Sequence, residues 1–159
     1  MPELLNESPQ RPALLALYGT LMPGVGALER LGLGNALTPL GACAIGGALW
    51  DLGPYPGLLP SAADSASCTR AELFLAQRPA QDLPVLDEYE GFPIDAPAEG
   101  LFVRRWTPID HPAHSAAWVY WFNQPLDLFP DARPIAHGDW RRWSQERNQT
   151  GARISSIVA

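Results

Sequence analysis

Most of this chain reads as short apolar runs cut by glycine and proline, and one acidic stretch departs from that pattern: Leu83-Pro84-Val85-Leu86-Asp87-Glu88-Tyr89-Glu90-Gly91. Wound as a helix at about 100° per residue, it brings Leu83, Leu86 and Glu90 to one face at i, i+3 and i+7. Glu88 then falls on the opposite side and Asp87 at the edge of the apolar arc, so Glu90 is the one acid aimed inward. Gly91 is a natural C′ residue, which crowds Asp87, Glu88 and Glu90 into the last turn, where the helix dipole is negative. Sequences that break local rules in this way often do so at a functional site, and Glu90 is the first candidate.

Ahead of this helix, Leu14-Leu15-Ala16-Leu17-Tyr18 is an apolar run that ends in Gly19-Thr20 and then Pro23-Gly24-Val25-Gly26. It reads as a buried strand entering a glycine-rich loop. Backbone N–H groups at such an exit have lost their ladder partners and can form an anion nest, although an ordinary turn has the same signature and the G-x-G-x-x-G spacing is absent. Ala27 to Leu31 suggests one or two helical turns stopped by Gly32 and Gly34. Ala36 to Asp51 reads as a long strand or bent strand pair, broken by Gly41, Gly46 and Gly47. Gly53-Pro54-Tyr55-Pro56-Gly57 is a rigid turn able to line a pocket mouth.

Cys68 to Leu75 is strand-like. After the acidic helix, the proline-bearing loop Phe92–Glu99 leads to a hairpin, Leu101–Ile109 and Ser115–Phe122, joined across Asp110-His111-Pro112. Aromatics of both parities in the second strand predict that both its faces are covered. There Tyr120 can lend a phenol to a site, but the simpler expectation is a half-buried ring whose hydroxyl bonds the backbone. Gly138-Asp139-Trp140-Arg141-Arg142-Trp143 predicts an Asp-capped helical turn that docks tryptophans. The order of elements suits an α+β domain with an antiparallel or mixed barrel-like sheet.

A chain of 159 residues has room for one domain. We place a loosely held tail at 1–12, the domain at 13–143 and a C-terminal tail at 144–159. No apolar run reaches the roughly 18 residues of a membrane span, and the N-terminus lacks the basic-then-apolar order of a secretory signal, so the expectation is a cytoplasmic protein without a membrane partner. A net charge of −6 argues against nucleic acid. Cys43 and Cys68 show no metal spacing, and His111 and His114 flank Pro112 as loop residues rather than a metal pair, so no metal or cofactor is expected. Every basic residue is arginine, which excludes lysine chemistry, and no G-x-S-x-G elbow accompanies His137, read as a surface or capping residue.

Taken together, Tyr18-Gly19-Thr20-Leu21, Asp51-x-Gly53-x-Tyr55-Pro56-Gly57, Leu86-Asp87-x-Tyr89-Glu90-Gly91 and Gly138-Asp139-Trp140 occur in the order that resembles the gamma-glutamylcyclotransferase-like family, which includes gamma-glutamylamine cyclotransferases. The likeness runs from about Leu14 to Trp143. It implies a small mixed, mainly antiparallel β-barrel with flanking helices. Tyr18, Gly19, Thr20 and Leu21 become the substrate-binding loop and Glu90 the acid/base. One position departs, since Phe102 stands two residues before Arg104 where similar members often carry tyrosine.

The implied partner is a small γ-glutamyl amine, peptide or amide. Its own α-amino group attacks its γ-carbonyl, forming 5-oxoproline and expelling an amine, so the enzyme need supply only proton transfer and orientation. On an apolar helix face Glu90 would be desolvated and its pKa raised toward the working range. The alternatives are a binding protein that keeps the pocket without turnover, and another amide-bond reaction such as hydrolysis.

Overall fold

The computed structural model describes residues 13–19, 27–62 and 66–149. The expected N-terminal tail, the loop from Thr20 to Gly26 and the last residues of the C-terminal tail lie outside them. Five strands close into a barrel in the order β1 (Ala13–Leu17), β5 (Cys68–Ala76), β2 (Leu37–Gly46), β6 (Phe102–Asp110) and β7 (Ala116–Phe122). A smaller sheet runs β4 (Pro56–Leu59), β3 (Ala48–Asp51) and β8 (Arg133–Pro134). With the helices α1 (Ala27–Arg30), α2 (Pro79–Tyr89) and α3 (Trp140–Gln149), this is the small α+β barrel expected.

The bent strand pair is real, and its two halves belong to different sheets. The chain leaves the barrel at Gly47, where a Cβ would sit 2.9 Å from Leu58 Cδ1 and 3.2 Å from the Leu59 carbonyl oxygen. Only a residue without a side chain fits that crossing unshifted. Within β2 the register slips between Pro39 and Gly41, and Gly41 adopts φ +96°, a bulge that bends the strand around the barrel.

All barrel pairings are antiparallel except the closing one, in which β1 meets β7 in parallel through Leu15 and Trp118. That exception matters for the site, because the carboxyl ends of β1 and β7 then lie at the same end of the barrel. β6, antiparallel to β7, starts at that end too, with Phe102 opposite Phe122 and Arg104 opposite Tyr120.

Side-chain alternation sends the strands into two cores. Leu15, Leu17, Phe74, Trp118 and Tyr120 pack with Leu83 and Leu86 of α2, while Ala16, Leu73, Ala117 and Val119 pack with Leu49, Leu58, Ile135 and Trp140. Both faces of β7 are thus covered, as its aromatic parity predicted. α3 is longer than the single turn expected. Asp139 Oδ1 accepts the Arg142 N–H at 3.1 Å as its cap, and the helix runs on to Gln149, past the domain boundary read at 143.

Candidate active site

Gly91 decides where Glu90 points. The Gly91 N–H donates to the Glu88 carbonyl at 3.1 Å and the Phe92 N–H to the Asp87 carbonyl at 2.8 Å, with Gly91 at φ +67°. This is a Schellman ending, and it leaves Glu90 as the C-cap of α2. The Glu90 side chain lines a cavity of about 120 Å³. Tyr18 and Gly19 enter that cavity from the end of β1, Tyr55 and Pro56 from the turn between β3 and β4, Phe102 from the start of β6 and Tyr120 from β7.

The structure therefore brings together three of the five residues singled out, Glu90, Tyr18 and Gly19. Thr20 and Leu21 lie outside the described residues. The rigid turn reaches the cavity as expected, through Tyr55 and Pro56. Gly19 and Pro56 close on each other, since a Cβ on Gly19 would lie 2.7 Å from Pro56 Cγ.

The Glu90 carboxyl has a pKa raised to about 8, by burial first and by the negative charge of Asp87 second. As a residue Glu90 is only partly hidden, yet protein atoms crowd the carboxyl itself and it is that crowding which strips away solvation. Three phenols from three different elements feel its charge: burial and then Glu90 raise the pKa values of Tyr18 and Tyr55, and Glu90 adds to the rise at Tyr120.

Two expectations are corrected here. Glu90 is not the one inward acid, because Asp87 is 7% exposed. Asp87 accepts from Arg104 Nε at 2.8 Å and from the Arg104 terminal nitrogen at 3.2 Å. The guanidinium is itself buried, 4.4 Å above the Trp118 ring and 5.7 Å from that of Phe92. Nor does the Tyr120 hydroxyl bond the backbone: it donates to Asp87 Oδ1 at 2.6 Å. The backbone-bonded phenol is Tyr18, which donates to the Tyr120 carbonyl at 2.7 Å and accepts from the Leu58 N–H at 3.1 Å.

A signal for Asp87 existed. It lies at i+4 from Leu83, on the edge of the arc that Leu83, Leu86 and Glu90 define and so within reach of the buried face. Arg104, two residues on from Phe102 and so of the same parity, carried a second: a basic side chain on a strand's buried face requires an acid. What the sequence could not supply was the identity of the partner.

The arrangement is an apolar-walled cavity holding one carboxyl able to gain and lose a proton near neutral pH, next to the main chain that follows β1. Elsewhere, His111 is tied to the Leu40 carbonyl at 2.9 Å and accepts from the Ala113 N–H, as befits a turn residue. His137 contacts Glu146 at 3.1 Å. Among the described residues no helix is long and apolar enough to cross a membrane.

The family model described as gamma-glutamyl cyclotransferase, AIG2-like, matches residues 15–142. No curated protein sequence matches the chain. Among solved structures, YkqA of Bacillus subtilis superposes with a TM-score of 0.64 at 16% identity, over 87% of this chain and 43% of that one. This chain thus spans less than half of the Bacillus protein's length. The uropathogenic Escherichia coli-specific protein c4763 gives 0.59 at 16% identity, over 85% of this chain and 97% of its own. An AIG2-like protein of Mus musculus gives 0.60 at 18% identity, over 82% and 88%. At such identities the superpositions show a common fold and nothing finer. The family model, which spans most of the chain and encloses the whole cavity, makes this protein a member of the gamma-glutamyl cyclotransferase, AIG2-like family.

Proposed function

We propose that this protein releases 5-oxoproline from a γ-glutamyl amine, peptide or amide, with Glu90 as general acid and base. The observation that carries the reading is the Glu90 carboxyl itself, raised to about 8 inside a cavity shared with Gly19. In the reaction the substrate's α-ammonium gives a proton to Glu90 and the freed amine attacks the γ-carbonyl carbon; as the bond from that carbon to the departing nitrogen breaks, Glu90 returns its proton to that nitrogen, and the ring nitrogen's second surplus proton passes to the released amine, which leaves as an ammonium. The substrate is its own nucleophile.

Magnitude favours this role. A chain α-amino group titrates near 8, and the free α-carboxylate of a γ-glutamyl head group holds its ammonium above that, so moving the proton to an ordinary carboxylate is uphill by at least about three and a half pKa units, roughly 5 kcal/mol or more. Moving it to a carboxylate that itself titrates at about 8 costs far less. We assign to the N–H of Gly19, which lines the cavity, the substrate carboxylate or the developing oxyanion, and the remaining acceleration to holding amine and carbonyl in contact.

The test is to incubate the protein with a panel of γ-glutamyl amines, peptides and amides and assay 5-oxoproline. Turnover falling about 10²- to 10⁴-fold in Glu90→Gln, with substrate still bound, is the expected result. Ligand protection without any 5-oxoproline would favour a binding protein, and free glutamate would mean hydrolysis. Either result sinks the proposal.

A further inference from the structure

Tyr120 occupies a position that the acid/base step by itself does not explain. Its ring is 2% exposed, it lines the cavity with Glu90, and its hydroxyl is 2.6 Å from Asp87 Oδ1. That is the distance of a charge-assisted bond from a hydroxyl to a carboxylate. Asp87 accepts both prongs of buried Arg104 and the Tyr120 hydroxyl as well, so the hydrogen between the two oxygens belongs to Tyr120.

A phenol has one hydrogen to donate and lone pairs with which to accept. With its hydrogen committed to Asp87, the Tyr120 oxygen can offer the cavity only lone pairs, enriched in charge by the carboxylate behind it. No described residue donates to that oxygen. Tyr18 cannot take the same part, since its hydroxyl is used up between the Tyr120 carbonyl and the Leu58 N–H. Two further phenols, Tyr55 and Tyr89, also line the cavity, but it is Tyr120 whose hydrogen the buried Asp87 carboxylate holds, and the other described walls are apolar, with Leu17, Leu101 and Phe102 prominent.

We infer that Tyr120 is the residue that receives the substrate's α-ammonium group, its oxygen turned into an obligate acceptor by Asp87 and Arg104. This rests on the cyclotransferase reading and extends it to the γ-glutamyl head group. Tyr120 and Glu90 would hold two hydrogens of the same nitrogen, so that Glu90 takes its proton from a nitrogen already aimed by Tyr120. Compounds with a γ-amide but no α-amino group are then rejected at binding, before any chemistry.

The experiment uses the full chain carrying Glu90→Gln, which keeps the cavity's shape without turnover. Calorimetric titration compares γ-glutamylbenzylamide with glutarylbenzylamide, which lacks the ammonium. We expect the γ-glutamyl compound to bind about tenfold or more tightly, the scale of a hydrogen bond to a charged group, and that preference to vanish when Tyr120→Phe is added. A preference that survives Tyr120→Phe, or no preference and no binding in the protein that retains Tyr120, overturns the inference.

Should Tyr120→Phe fold poorly, Glu90→Gln protein labelled with ¹³C at tyrosine Cζ gives the same answer. The Tyr120 resonance should move with the γ-glutamyl compound and stay still with the glutaryl one, and an unmoved signal in both overturns the idea. Release of 5-oxoproline by the wild-type chain is judged separately: if it occurs while the ammonium preference fails, the cyclotransferase reading stands and only the role of Tyr120 falls.

Discussion

The Tyr18 hydroxyl donates to the main-chain carbonyl of Tyr120 at 2.7 Å across the one parallel junction of the barrel, 102 residues apart in the chain. Because the same oxygen accepts from the Leu58 N–H at 3.1 Å, one side chain ties β1, β7 and β4 together on the cavity's floor. Tyr18→Phe removes both bonds and leaves two buried backbone groups without a partner. We expect a loss of about 2 kcal/mol, read as a lower denaturation midpoint with an unchanged m-value. Turnover should fall less than in Glu90→Gln, because this hydroxyl supports the site rather than the chemistry.

Glu90 makes stability depend on pH in an unusual direction. Its pKa is about 8 in the folded chain against an ordinary 4.5, so the folded state holds the proton more tightly than the unfolded one. Its contribution is therefore fully present below about pH 4.5, shrinks as pH rises, and is lost once pH passes about 8. Glu90→Gln cannot ionise, and the variant should be more stable than wild type at pH 9 by roughly 1–3 kcal/mol, with little difference at pH 5. Catalytic efficiency should run the other way in the wild-type protein, rising with pH through about 8 as the base form appears. Thermal melts at the two pH values and a pH–kcat/KM profile check both; a wild-type profile flat between pH 6 and 9 would contradict the assignment.

Gly19 has no room to change. An added Cβ would meet Pro56 Cγ at 2.7 Å and Cδ at 3.4 Å, and a proline ring cannot swing away as a long side chain can. Gly19→Ala must push apart two walls of the cavity, the exit of β1 and the turn before β4. The expected cost is about 1–3 kcal/mol of stability and up to about 10²-fold in turnover, measured by denaturation and by 5-oxoproline release. Wild-type turnover in this variant would show that the close approach of these two segments does not matter to the reaction.

Asp51, prominent in the sequence motif, serves the fold. It is 4% exposed, accepts from the Gly53 N–H at 2.8 Å and Trp143 Nε1 at 2.9 Å, and pairs with Arg147 at 3.0 Å. It shapes the turn that carries Tyr55 into the cavity and docks α3 at the same time. Asp51→Ala should cost about 2–4 kcal/mol and speed hydrogen exchange in α3 more than in the barrel strands. Uniform exchange across the molecule would show that α3 does not depend on this anchor.

The features legible in the sequence are those decided within a few residues. A continuous apolar run located β1, two strand-like stretches about a turn the β6–β7 hairpin and the helical period α2, and glycine at 91 marked the helix end that aims Glu90. Such rules act through backbone sterics and a side chain's nearest neighbours, so a short window contains them. Which buried charge answers which is a different matter. Asp87, Arg104 and Tyr120 come from a helix and two strands, and their meeting depends on the pairing of Arg104 with Tyr120 and on α2 packing against the face those strands present. The second inward acid and the commitment of the Tyr120 hydrogen were settled there, because partners for buried polar groups are chosen by the neighbours that folding supplies, and those lie far away along the chain.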